Sequence, residues 1–482
     1  MITGLEKQIE KSQPLKSAVL PISKPFALVV LHVLFLAGIV FIDGLDYRSK
    51  IALFTFLSAM TLWVTTKIPA GFVAISLIVF TILMNAGEPN LLYESLSEKV
   101  VWLMIGSFII GEAVKESGLA DRVTLMLLSK SKDKGKVLAG VSSILFASAF
   151  FIPSTSGRAA LSMPIINQLN QEYTKKEQSV FALLAPIIIL MSTSATLIGA
   201  GSHLIGIGLL ETTVHQSISF IQWFLWGLPF ALVMTILSFF TVKWLLWPRD
   251  ELRVLKNTQS VETSLLKKQM NRTEKKTLIL MIFLIIGWMT ESVHGYDIAF
   301  ITMVGATLVM TPNYGIINWK QGMKSVSWNL ILFVAAAAAL GKMLVETSVV
   351  KWLEKEMLSF LHLFTVAPEW LIVLVILVAT VSSHLYITSH TTRAIVFIPG
   401  LLLFSETIGV NPSAVVFLSL IGMNYCVTFP VSSKALLLFY EDEGNSYDAK
   451  NLLKISAILM PVYILVMMTF YFSYWQWTGL QL

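Results

Sequence analysis

The chain has one cysteine, Cys426, in 482 residues. That excludes an internal disulfide and any metal centre built on cysteine. Charge is scarce too. Only 13% of residues are Asp, Glu, Lys or Arg, about half the ~25% usual in a soluble domain. Acidic side chains are missing where a cation carrier would need them. Away from their ends, the long apolar segments 137–167, 180–211, 368–401 and 413–440 hold no Asp or Glu. A cation or proton antiporter requires carboxylates within the membrane, so that class is excluded. No serine–histidine or metal-ligand spacing marks an enzyme, and no cofactor or metal is expected. Ser389 and His390 are neighbours, but adjacent residues rarely form a nucleophile–base pair, and the matching Ser154 has no histidine beside it. No small-residue cleavage site follows the first apolar run, so no cleavable signal peptide is expected. The net charge of +6 is concentrated in a few loops. That pattern marks topology and gives no reason to expect a nucleic-acid partner.

What remains is apolar. Hydrophobic residues make up 55% of the chain and mean hydropathy is +0.74. Many runs approach the roughly 20 residues that cross a hydrocarbon core. The fold class is therefore an all-α polytopic membrane protein. An interfacial N-terminal segment, 1–24, precedes spans near 25–43, 50–66, 70–87 and 100–114. An amphipathic stretch, 119–128, leads to a basic loop with Lys130, Lys132, Lys134 and Lys136. A broken segment, 137–167, a second one, 180–211, and a span at 218–247 complete the first half, 25–247. The linker 248–276 carries eight Lys or Arg. The second half, 277–482, repeats the order: spans near 277–292, 297–312 and 328–345, a semi-amphipathic stretch at 349–364, broken segments at 368–401 and 413–440, and a last span at 451–474. Trp102 is matched by Trp328, Gly111 by Gly341, and Glu116-Ser117 by Glu346-Thr347.

With the N-terminus placed in the cytoplasm, the basic segments 1–24, 130–136, 175–176 and 248–276 all fall inside. The segments 88–98, 291–296, 402–412 and 475–482 fall outside and contain no Lys or Arg. This alternation requires 137–167 and 368–401 to be re-entrant hairpins that enter from opposite sides. The halves are then inverted-topology repeats with eleven full spans and the C-terminus outside, in a plasma membrane. Inverted repeats of this kind are the build of many secondary transporters.

The two hairpins carry the chemistry. One tip reads Ser154-Thr155-Ser156-Gly157-Arg158, the other Ser389-His390-Thr391-Thr392-Arg393, and Pro164 and Pro399 each follow six residues after the arginine. A charge at the bilayer centre costs roughly 2.5–3.5 kcal/mol on insertion scales. Arg158, Arg393 and Lys434 are therefore expected to face a hydrated chamber and an anion entering it. Ser154, Ser156, Ser389 and Thr391 add neutral donors where helical limbs restart, and limb N-termini favour anions. Interruptions at Gly199–His203, including Gly201 and Ser202, and at Phe429–Lys434, including Ser432 and Ser433, leave backbone unwound. Inside a membrane that is tolerated only where the backbone is buried or lines a cavity. His203, His384 and His390 fall in the same zone.

Two hairpin tips of this type, each followed by an unwound helix, resemble the divalent-anion/sodium symporter family of INDY-type carriers. The Trp102…Gly106-Ser107-Phe108…Ser117-Gly118-Leu119 pattern fits as well. The resemblance implies a homodimer, with a scaffold and a mobile transport domain in each protomer, elevator-type movement, and dicarboxylate, tricarboxylate or sulfate substrates. The family's tip is Ser-Asn-Thr. Here Thr155 and His390 stand at the asparagine position. The family's unwound helices hold sodium, whereas these read Gly201-Ser202-His203 and Ser432-Ser433-Lys434. A cationic side chain beside such a site repels sodium. Lys434, His203, Arg158 and Arg393 are therefore expected to substitute for the bound ions, as in the sodium-independent exchanger branch. The expected cargo is a C4 or C5 dicarboxylate such as succinate, fumarate, malate or 2-oxoglutarate, exchanged for another dianion. The alternative is sodium- or proton-coupled symport of di- or tricarboxylates or sulfate.

Overall fold

The computed structural model describes residues 24–66, 68–119, 122, 133–150, 152, 154–169, 173–248, 270–349, 351–352, 355–356, 367–442 and 446–482. Residues 1–23 of the expected N-terminal segment 1–24, most of the stretches 119–128 and 349–364, Lys130, Lys132, Pro153 and most of the basic linker lie outside the described residues.

The described residues are helical, with no strand among them. In the first half the helices are α1 (Lys24–Val40), α2 (Tyr47–Thr65), α3 (Ala70–Leu83), α4 (Asn90–Ser95), α5 (Lys99–Glu116), α6 (Lys134–Ala147), α7 (Thr155–Leu169), α8 (Lys175–Met191), α9 (Gly201–Val214) and α10 (Phe220–Leu246). In the second half they are α11 (Arg272–Met289), α12 (Glu291–His294), α13 (Ile298–Val309), α14 (Trp319–Ser325), α15 (Trp328–Glu346), α16 (Glu369–Ser382), α17 (His390–Ile408), α18 (Pro412–Asn424), α19 (Lys434–Tyr440) and α20 (Ala449–Phe470). Starts are set by local side chains. Thr174 with Glu177, Ser219 with Gln222, and Asn271 with Glu274 form reciprocal caps that satisfy the first free N–H groups of α8, α10 and α11. Lys134 and Lys136, expected in a loop, lie in the first turn of α6, because Asp133 caps that helix by accepting from the Lys136 N–H.

Among the described residues, four helical stretches are long and apolar enough to cross a membrane, Lys175–Ala195, Phe220–Leu246, His390–Ile408 and Ala449–Thr478, and the pair Trp319–Ser325 and Trp328–Leu344, bent by 56°, reaches that length together. Five further apolar helices among the described residues are shorter: Phe26–Val40, Ala70–Leu83, Ile298–Val309, Glu369–Leu385 and Pro412–Asn424.

The halves are cross-paired. α5 of the first half packs most extensively against α13 of the second, and α3 against α15. The contacts are close because of glycine. A Cβ on Gly106 would lie 2.9 Å from Thr302, and one on Gly71 would lie 2.6 Å from the Asn329 carbonyl. The core itself is built from the broken helices. α8 is buried continuously from Val180 to Met191, and α18 from Ala414 to Asn424. The pairs α6/α7 and α16/α17 flank them, and α10 and α20 pack around the outside of this core.

Candidate anion chamber

Each tip begins a helix with a serine. Ser154 Oγ accepts from the Gly157 N–H at 3.1 Å, and Ser389 Oγ accepts from the Thr392 N–H at 3.2 Å. These bonds hold the first turns of α7 and α17 in equivalent poses and leave the following residues facing inward.

The interruptions begin earlier than the glycine and proline positions suggest. α8 ends at Met191, and two tight 3-10 turns, Ser192–Ala195 and Leu197–Gly199, follow, with Thr196 and Ala200 extended. Gly201, Ser202 and His203 are thus the first turn of α9 and lie outside the break. In the second half the irregular chain runs from Tyr425 to Ser433, and Lys434 opens α19. The first break is pressed tightly against α10. Trp223 donates its indole N–H to the Ser194 carbonyl at 3.1 Å, and a Cβ on Gly227 would sit 2.1 Å from that same oxygen.

Both tips and both restarts meet around one cavity of 470 Å³. Ser154, Thr155 and Ser156 line it from the first tip, and Ser389, His390 and Thr391 from the second. Gly201 and Ser202 come from the start of α9, Ser433 and Lys434 from the start of α19. Ser107 of α5 and Ser327 just before α15 complete the polar part. Among the described residues of the lining, Lys434 is the one that is formally charged. Ser107 Oγ and His390 Nδ1 are buried without a hydrogen-bond partner. Buried polar atoms of native proteins are nearly always paired, so two orphans at one cavity suit an incoming polar ligand.

Four expected site residues do not line this cavity. Arg158 is 1% exposed and Arg393 0%. Neither faces the other across a shared space. Arg158 donates from Nη1 to Ser192 Oγ at 2.9 Å and from Nη2 to Thr193 Oγ1 at 2.7 Å. Arg393 donates from Nη1 to the Tyr425 carbonyl at 3.2 Å, beside the Cys426 thiol. The physical reason is position. Each arginine lies one helical turn beyond its tip serine, and from there it reaches the unwound segment of its own half. A guanidinium has five donors and a broken helix has free oxygens, so each satisfies the other inside an apolar core. His203 is fully buried. Its Nδ1 contacts the Thr196 and Leu197 carbonyls, and its Nε2 lies 2.9–3.1 Å from the Asn424 amide. Ser432 is turned back on the Phe429 N–H.

Ser192, Thr193, Ser194 and Asn424 were not among the expected site residues. The Asn424 amide donates to Ser194 Oγ at 3.0 Å and so ties the two breaks together. The signal was present as Ser192-Thr193-Ser194-Ala195-Thr196, a hydroxyl run in an otherwise apolar stretch, and as one asparagine in an apolar helix.

Residues 23–481 match the family model described as the sodium:sulfate symporter transmembrane region. A protein of Cupriavidus necator described as a membrane protein is 24% identical over 393 residues, covering 80% of this chain and 76% of its own length. The sodium-dependent dicarboxylate transporter SdcS of Staphylococcus saprophyticus is 22% identical over 465 residues, covering 88% and 87%. SdcS of Staphylococcus aureus is 23% identical over 451 residues, covering 85% of each. The crystal structure of the Alcanivorax borkumensis YdaH transporter superposes with a TM-score of 0.56 at 14% identity, over 94% of this chain and 98% of that one. That last likeness is one of fold.

Proposed function

The chain belongs to the sodium:sulfate symporter family, and from that premise we propose that it carries small dicarboxylate anions across a membrane by alternating access. It is a multi-pass membrane transporter and not an enzyme. The observation that carries the proposal is the cavity where both tips and both restarts meet, whose described lining is rich in hydroxyls and holds one lysine and no acid. A dicarboxylate bonds there to Ser154, Thr155 and Ser156 of the first tip, to Ser389, His390 and Thr391 of the second, and to Ser202 and Ser433 of the restarts. Gly201 leaves room at the start of α9. The names of the SdcS relatives point to the same cargo class. Succinate, fumarate, malate and 2-oxoglutarate are the proposed cargo.

The finer reading is exchange without sodium. Arg158 and Arg393 donate into the oxygens of the unwound segments, where a bound cation would otherwise be needed to compensate them. Tethered cations cannot leave, so an empty carrier would move buried, uncompensated positive charge, which is costly in a membrane. Return of the carrier therefore requires a second anion. Within this reading 25–247 and 277–482 are inverted repeats in an elevator-type homodimer, with 137–167 and 368–401 as re-entrant hairpins, the N-terminus cytoplasmic and the C-terminus outside. The competing reading, sodium-coupled symport, is favoured by the printed names of the SdcS relatives.

Uptake of labelled succinate by purified protein in liposomes separates the two, with internal dianion and external sodium varied independently. Uptake that requires internal dianion and ignores sodium supports exchange. Brisk sodium-driven uptake into liposomes without internal dianion assigns symport instead. No uptake of succinate, citrate or sulfate under any of these conditions removes the transport proposal.

A further inference from the structure

The hydroxyls that line the cavity can turn to donate or to accept. The one imidazole in the described lining, His390, cannot. A neutral imidazole donates from one nitrogen and accepts at the other, and the partner of the ring decides which is which. At the matching point of the first tip stands Thr155, whose hydroxyl has no such choice to make.

What sets the ring lies behind the lining. Cys426 is 0% exposed and does not line the cavity. Its Sγ is 3.2 Å from His390 Nε2. The Arg393 guanidinium and the Ser433 hydroxyl lie beside the same sulfur. A guanidinium only donates. Ser433 Oγ already accepts from the Ala435 N–H at 3.2 Å, so its own proton is free to point at the sulfur. With donors on those sides, the thiol spends its single hydrogen on the Nε2 lone pair. The ring proton is then on Nδ1, and Nδ1 is buried without a hydrogen-bond partner. A buried donor left open is costly. On a residue that lines a cavity, a ligand acceptor is what answers it.

We propose that Cys426 is a positioning residue: its thiol donates to His390 Nε2, holds the ring proton on Nδ1, and so makes the second tip a fixed N–H donor to a carboxylate oxygen of the cargo. A hydrogen bond from His390 that leaves the thiol contact intact has to use Nδ1, the other ring nitrogen. The single cysteine of the chain thereby acts on binding without touching the anion. This rests on the transport reading above and adds the residue that sets the second tip.

Nitrogen NMR of protein carrying isotopically labelled histidine tests the tautomer directly. The His390 signals are those missing from His390→Asn. With succinate bound, the proton is expected on Nδ1. A proton on Nε2 overturns the proposal, and so does one on each nitrogen. Counterflow of labelled succinate is the second arm. Cys426→Ala frees the ring to hold its proton on either nitrogen, and apparent affinity falls with the fraction in the competent form, so KM rises by about threefold or more with little change in maximal rate. Cys426→Ser keeps a donor to Nε2 and recovers most of that loss. In a His390→Asn background there is no tautomer to fix, so adding Cys426→Ala changes KM by less than about threefold, the sign of a coupled pair. A merely structural cysteine would cost as much in that background as in the native one, and equal losses overturn the proposal. A rise of less than about threefold for Cys426→Ala in the native background overturns it too and leaves dicarboxylate transport standing. The NMR arm decides where the alanine variant fails to fold. Absence of succinate counterflow in the unaltered protein removes the dicarboxylate reading and this inference with it.

Discussion

Arg158 reaches two side-chain hydroxyls and leaves Nε without a hydrogen-bond partner, whereas Arg393 reaches one backbone carbonyl and leaves both Nε and Nη2 without one. The two arginines occupy matching points of the halves, so the difference lies in what they meet. In the first half the unwound chain supplies its own polar side chains and is pinned by Trp223 and the close approach at Gly227. In the second half the backbone does the accepting, and the nearby side chains, Cys426 and His390, contact each other at 3.2 Å. The comparison teaches that two tips capped in the same way carry different chemistry one turn on. The first break is specified by side chains, the second by main chain, so substitutions should tell them apart.

The largest separation is expected at the arginines. Hydrogen bonds to charged groups contribute about 1.5–3 kcal/mol each. Arg158→Gln forfeits two of them, which predicts a loss of about a hundredfold or more in succinate counterflow. Arg393→Gln forfeits one and is expected to lose about tenfold, by the same scale. Equal losses would mean that charge alone matters and that the hydrogen-bond partners do not.

Close packing comes next. Gly227→Ala forces a methyl against the Ser194 carbonyl, and overpacking costs about 1–3 kcal/mol. In the second half a Cβ on Gly422 would lie 2.2 Å from the Thr380 hydroxyl, so the closest atom there belongs to a side chain, where at Gly227 it belongs to the backbone. Thermal unfolding in detergent is expected to show a larger drop in midpoint for Gly227→Ala than for Gly422→Ala. The reverse order would place the rigid wall in the second half.

The smallest effects, and the most equal, belong to the tip serines. Ser154→Ala and Ser389→Ala each remove one N-cap, at a cost of about 1 kcal/mol. Their thermal shifts should match. Unequal shifts would show that one serine holds its tip by more than a cap and would end the equivalence on which the comparison rests.

Much of this organisation was legible in the chain. Paired tips, their shared serine, the arginine one turn on and the proline beyond it are local patterns, and local patterns survive folding. The course of a guanidinium is not local. Arg158 shares a helix with Ser154, yet its partners arrive from residues more than thirty positions away. Periodicity places a side chain on a face without saying what covers that face. The breaks were misplaced for a related reason. Glycine and proline mark where a helix is weak, but α8 ends at Met191 because Ser192, Thr193 and Ser194 find partners elsewhere: the Arg158 guanidinium, the Asn424 amide and, through the Ser194 carbonyl, the Trp223 indole. Hydroxyls compete with the helical ladder when such partners exist.

The pairing of α5 with α13 and of α3 with α15 bears on how the chain is made. The glycine faces of Gly71 and Gly106 emerge from the ribosome more than 190 residues before the surfaces they fit, Asn329 and Thr302. Until translation is well past the linker, the early helices sit in lipid with their closest neighbours unwritten. Late assembly of these pairs is the expected outcome, and products truncated before the second half should be poor at escaping membrane quality control.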